Sequence, residues 1–130
     1  MENEYPLWIE EQVRFSETDQ LGHVNNTVFA VYFEVGRSTW FTRSGIYGQD
    51  RVTLVIVRTT IEFLHPILWP GAVRIGTRMS KSGRSSFDME QVMLQKNKLA
   101  GRAVSTMVLV DKESGNSVPM PDDVRAMLGL

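Results

Sequence analysis

The sequence predicts an α+β fold in which one curved antiparallel sheet of five or more strands wraps a single long central helix. Two observations carry that reading. Residues 26–43 run through Val28, Phe29, Ala30, Val31, Tyr32 and Phe33 with no period of two, while Glu34, Arg37, Ser38 and Arg43 enter at helical spacing. On either side of this stretch, short segments alternate apolar and polar residues or are dense in β-branched ones, the marks of strands. The order is one strand, one long helix, then four strands in meander, with no internal repeat and no second composition. That order reads as one domain spanning residues 1–130.

Leu7 to Phe15 alternates, with Leu7, Ile9, Val13 and Phe15 on one face, Glu11 the exception, and Trp8, Glu10, Gln12 and Arg14 on the other, so it reads as a half-buried strand. A polar loop from Ser16 to Asn25 follows. The helix then opens with Asn25 or Asn26 as its N-cap and stops at Gly45. Its first turns leave no solvent stripe, so burial on most sides is expected. Residues 51–64 are long and β-branched and read as a central strand buried on both faces at its start. His65-Pro66 ends that strand, with His65 read as a strand-end residue, and Pro70-Gly71 makes a turn. Ala72 to Ser80 alternates again, and Lys81-Ser82-Gly83-Arg84 makes a hairpin turn. Ser85 to Gln95 and Leu99 to Asp111 join at Lys96-Asn97-Lys98. Pro121 opens a short helix, Asp122 to Leu128.

Of the 130 residues, 42% are hydrophobic and 22% charged, a globular balance. The net charge of −1 offers no field to recruit nucleic acid. The absence of cysteine excludes disulfides, Cys-ligated zinc and a thiol nucleophile, and fits a reducing compartment. Met1 to Pro6 is acidic without an apolar run, so no signal peptide is expected, and no stretch approaches the ~20 apolar residues of a membrane span. A cytoplasmic protein is the expectation. One sheet on one helix leaves strand edges open, so a homodimer joined edge to edge is expected, with a homotetramer as its possible extension.

The chemistry concentrates where the loop meets the long helix. Asp19, His23, Asn25 and Asn26 lie within eight residues. A helix start carries unpaired N–H groups and a partial positive charge, and so suits a developing oxyanion. Asp19 is the candidate base or nucleophile beside it. The same residues have structural readings: Asp19 can close an Asx turn, His23 can pack the loop or donate a hydrogen bond, and Asn25 and Asn26 can simply cap. Glu34 and Arg37, three residues apart, can pair on the helix surface.

These residues, in this order, resemble the hotdog-fold thioesterases, closest to the 4-hydroxybenzoyl-CoA thioesterase-like branch and its acyl-ACP relatives. The resemblance covers nearly the whole chain. It rests on Arg14-Phe15 before Thr18-Asp19, the run Gly22-His23-Val24-Asn25-Asn26, Tyr32-Phe33-Glu34 with Arg37, Phe63, Pro66 and Gly71, and the Gly83-x-Ser-Ser hairpin. It implies hydrolysis of an acyl-CoA or acyl carrier protein thioester, with coenzyme A part of the substrate and no bound cofactor or metal. Asp19 matches the catalytic carboxylate, and Asn26 the helix-start N–H that polarises the carbonyl. Lys81, Arg84, Ser85 and Ser86 lie on the hairpin near which the family places pantetheine and nucleotide phosphates, and Arg suits phosphate. Phe29 departs from the Tyr usual in these relatives. The rival classes are an acyl-CoA or acyl-carrier binding protein without turnover, a dehydratase, and a structural or regulatory dimer.

Overall fold

The computed structural model describes residues 1–130. Its five strands, β1 (Leu7–Gln12), β2 (Val52–Phe63), β3 (Ala72–Ser82), β4 (Ser86–Gln95) and β5 (Lys98–Asp111), form one antiparallel sheet in the order β1-β3-β4-β5-β2. Only β3, β4 and β5 make the expected meander. Strand β2 does not pair with β3 but lies beside β5 at the opposite edge from β1.

That placement corrects the reading of β2 as a central strand buried on both faces. Val55, Ile56 and Val57 are exposed, and the strand carries a bulge between Ile56 and Arg58. β2 is therefore an edge strand with one side free of pairing. Strand β1 also stops earlier than its alternation indicates. Residues Phe15–Glu17 form a 3-10 turn in place of strand, closed by the Thr18 N–H donating to the Phe15 carbonyl.

Helix α1 (Asn26–Ser44) lies across the sheet, and α2 (Asp122–Leu128) packs beside its C-terminal end. The Asn25 side chain caps α1 by accepting from the Thr27 N–H at 2.9 Å. Gly45 ends it at φ 83°, a left-handed conformation that glycine adopts without a Cβ penalty. The buried row is Phe29, Tyr32, Phe33, Gly36, Arg37 and Phe41. Burial on most sides is not what the chain adopts: Ala30, Val31 and Glu34 face outward and are exposed.

Two apolar clusters fill the space between helix and sheet. One gathers Phe29, Phe33, Ile67, Val73, Ile75 and Met93 near the start of α1. The other gathers Phe41, Phe87, Met89, Met107 and Leu109 with α2. Polar side chains lie between them. Arg37 Nη1 donates to Gln91 Oε1 and Ser105 Oγ at 3.3 Å each, and Gln91 Nε2 donates to the Phe33 carbonyl at 2.9 Å and Thr77 Oγ1 at 3.0 Å. Arg37 therefore does not pair with Glu34 on the surface. It is 8% exposed, and burial lowers its pKa.

Candidate active site

The loop between β1 and α1 is built on Glu17. Its Oε1 accepts from the Arg14 N–H at 2.8 Å and from the Tyr32 hydroxyl at 2.6 Å. Its carbonyl accepts from the Asn25 N–H at 2.9 Å. One residue thus fixes the loop to both the start and the second turn of α1. Burial, then the bond to Glu17, push the Tyr32 hydroxyl well above its ordinary pKa, so it stays a donor.

Asp19 sits in a tight turn. Its N–H donates to the His23 carbonyl at 2.8 Å, its carbonyl accepts from Gly22 at 3.1 Å, and its Oδ1 accepts from the Leu21 N–H at 2.9 Å. Gly22 supplies the φ of 77° that closes the turn. The Asx-turn reading of Asp19 is therefore realised, but it occupies only Oδ1; Oδ2 takes no bond within the chain. The Val24 N–H donates to the Ile67 carbonyl at 2.8 Å, and His23 bridges Leu68, so the loop also rests on the segment after β2.

Capping decides which helix-start amide remains open. Thr27 donates to the Asn25 side chain and Val28 to the Asn25 carbonyl. The Asn26 N–H donates to no acceptor in the chain, and it carries the positive end of the α1 dipole.

Asp19, His23 and Asn26 line one cavity of about 250 Å³, together with Val24, Phe29, Phe63, Leu64, His65 and Pro66. Phe29 and Phe63 meet edge to face at 5.0 Å and form its apolar wall. A hydroxyl at position 29 would sit at that wall; here the wall is hydrocarbon. His65 belongs to this cavity as well as to the end of β2. The sequence carried its signal only as a second histidine beside a proline, because nothing local says that the end of β2 meets the start of α1. Its N–H and that of Leu64 both donate to the Ala100 carbonyl, at 3.1 and 2.9 Å, which turns the segment toward the helix.

Asn25 is committed to capping. Lys81, Arg84, Ser85 and Ser86 line no part of the cavity. Their hairpin packs against α2, where Arg125 Nη2 donates to the Gly83 carbonyl at 2.6 Å and the Met120 N–H donates to the Arg84 carbonyl at 2.9 Å. Ser86 aligns with Val108, which aligns with Val55 of β2, whereas the cavity sits at Phe63. Phe63 aligns with Gly101, seven residues from Val108 along β5, and at ~3.3 Å each the two levels of the sheet are about 23 Å apart. Nowhere does the chain gather three His, Cys, Asp or Glu side chains into a group that could hold a metal ion. No helix is long and apolar enough to cross a membrane.

The model of the thioesterase-like superfamily matches residues 13–128. The YsmA protein of Bacillus subtilis strain 168 is 33% identical over 121 residues, covering 89% of this chain and 80% of its own. A thioesterase of Thermus thermophilus, solved with coenzyme A and Zn, aligns with a TM-score of 0.84 at 32% identity, covering 97% of this chain and 99% of that one. A predicted thioesterase of Bacillus stearothermophilus aligns at 0.83 and 28% identity, over 94% and 92% of the two chains. With its sheet around one long helix and this match over nearly all its length, the chain belongs to the thioesterase-like superfamily and has the hotdog fold.

Proposed function

We propose that the protein hydrolyses an acyl-CoA thioester to the free acid and coenzyme A. The observation that carries this is the meeting, in one cavity, of the Asp19 carboxylate and the unpaired Asn26 amide against an apolar wall. The Thermus thermophilus relative, solved with coenzyme A, agrees with it. Asp19 attacks the thioester carbon as nucleophile, expelling the thiolate and leaving an anhydride that water then opens to the free acid, or it takes a proton from a water that attacks the carbon directly. The carbonyl oxygen gains charge at the Asn26 N–H, where the helix dipole stabilises it. A thiolate leaves readily, its thiol pKa being ~8.5, so no strong acid is needed. His23 donates from the substrate side. No bound cofactor is required, since coenzyme A is itself part of the substrate.

The active unit in this reading is a homodimer. Two copies pairing along their free β2 edges run antiparallel. The Val52 end of one strand then lies beside the Phe63 end of the other. Each cavity so receives the hairpin of Lys81, Arg84, Ser85 and Ser86 from the second copy, for the phosphates of coenzyme A.

Release of free thiol from acyl-CoAs of varied chain length, by wild type and Asp19→Asn, tests the reaction. Asparagine keeps the Oδ1 acceptor for Leu21, so the turn survives. A loss of at least ~10²-fold in kcat is expected. Retention of most of the rate removes Asp19 from the mechanism, and a silent panel leaves an acyl-CoA binding protein.

A further inference from the structure

The turn between β3 and β4 keeps two backbone donors free. Arg125 of α2 donates through Nη2 to the Gly83 and Arg84 carbonyls, at 2.6 and 3.2 Å, and through Nη1 to the Ser82 hydroxyl. The Met120 N–H also donates to the Arg84 carbonyl, at 2.9 Å, whereas Gly83 has Arg125 alone. Two successive carbonyls are thus drawn toward α2. In a trans peptide the N–H points opposite to the carbonyl of the same unit. The Arg84 and Ser85 N–H groups therefore both leave the turn on the side away from α2. Neither donates to an acceptor within the chain. Arg84 is exposed and Ser85 half-buried, so a group from outside can reach them.

Successive free amides on one side of a turn attract an anion, as the first turn of a helix does. The surrounding charges agree. The chain's ion pairs are Arg74–Glu2, Arg78–Glu90 and Arg102–Glu62, so Lys81, Arg84 and Arg125 have no carboxylate partner. Asp88, opposite Lys81 in register, accepts from the Thr106 hydroxyl at 2.7 Å rather than from the lysine. Arg125 meets only uncharged oxygens, so its positive charge stays uncancelled beside the turn. Both of its terminal nitrogens are already engaged there, which leaves it to hold the turn rather than to grip a ligand.

We propose that Arg125 is a positioning residue, and that the Arg84 and Ser85 amides it turns outward bind a phosphate of coenzyme A. This rests on the hairpin's place in the hydrolysis reading above, and adds the groups that bind and the residue that sets them. Its central test needs no turnover, so the two readings fail separately.

When ¹⁵N-labelled protein is titrated with coenzyme A, the Arg84 and Ser85 amide protons move downfield, as N–H groups do on donating to an anion. In Arg125→Gln the Gly83 carbonyl is released, the Arg84 movement is lost, and coenzyme A binds ~10-fold more weakly, the weight of one hydrogen bond to a charged group. Val124 and Leu128 stay in the core, so α2 remains docked in this variant. KM for acyl-CoA rises by the same factor with kcat unchanged. The acyl thioester of N-acetylcysteamine carries no phosphate and is hydrolysed by the variant as by wild type. A wild type that binds coenzyme A through these amides without turnover supports the assignment and removes only the hydrolysis. The assignment is overturned if wild type does not bind coenzyme A, or binds it with both amides unmoved. It is also overturned if Arg125→Gln binds as tightly as wild type, or slows the phosphate-free thioester as much as acyl-CoA, which would make Arg125 merely structural.

Discussion

The Tyr32 hydroxyl donates to the Glu17 carboxylate at 2.6 Å, and through it the second turn of α1 holds the loop that carries Asp19. The bond is buried on the tyrosine side and charge-assisted on the other.

Tyr32→Phe deletes that donor and little else. A loss of about 1.5 kcal/mol at neutral pH is expected in urea unfolding. The pH dependence has a definite sign. The folded state raises the Tyr32 pKa above the ~10 of an unfolded chain, so its contribution is whole below pH ~10 and declines as pH rises beyond it. Wild type should lose stability between pH 8 and pH 11, and Tyr32→Phe should lose less. Tyr5, whose hydroxyl burial also pushes upward, contributes to the slope that remains. Equal alkaline slopes for the two proteins would refute the assignment.

Gly36 lets α1 lie close to the sheet. A Cβ there would stand 2.6 Å from Gln91 Nε2 and 2.9 Å from Thr77 Oγ1, in the polar layer between the two apolar clusters. In an exposed helix Gly→Ala stabilises by ~1 kcal/mol. Here Gly36→Ala should destabilise by about 1–3 kcal/mol, because Gln91 is held by Phe33, Thr77 and Arg37 and cannot move without breaking bonds. Thermal unfolding gives the sign directly.

What the sequence made legible was local. The Asn25 cap, the Gly45 stop, the Lys96-Asn97 turn and the Pro121 helix start each depend on a few adjacent residues. Asp19, His23 and Asn26 could be grouped because they lie within eight residues. What stayed hidden depends on which strands meet. A β-branched run reads the same at the edge of a sheet as in its middle, so β2 looked central. Arg37 looked like a surface partner of Glu34, because Gln91 and Ser105 lie far along the chain in strands whose register periodicity does not reveal. His65 joined the cavity for the same reason.

The exposed edge of β2 makes its own prediction. Val55→Asp/Val57→Asp places like charges where two antiparallel copies would meet, while the β2–β5 pairing stays intact. Sedimentation velocity should show dimer for wild type and monomer for the variant. Thioester hydrolysis should fall with it, mostly as a higher KM for acyl-CoA, since the basic hairpin then belongs to no neighbouring site. A monomeric variant with unchanged KM would show that the hairpin plays no part.

Asp111 ends β5 opposite Val52, where the turn after β5 is fastened to the start of β2. Its Oδ1 accepts from the Ser114 N–H at 2.8 Å and the Glu113 N–H at 2.9 Å. Those bonds, Ser114 first, hold its pKa below the ordinary carboxylate range. A depressed folded pKa means stability that is whole above the unfolded carboxylate value of ~3.9 and is lost as pH falls through the folded one. Asp111→Asn retains an acceptor oxygen but no charge. Its thermal midpoint should lie slightly below wild type at pH 7, and the gap should close as pH falls from 5 to below 3. A gap that persists at the lowest pH would assign the effect to turn geometry, since only the charged form titrates away. Asp111→Ala, which removes the acceptor too, should keep a gap at every pH, so the two variants separate the charge from the hydrogen bond.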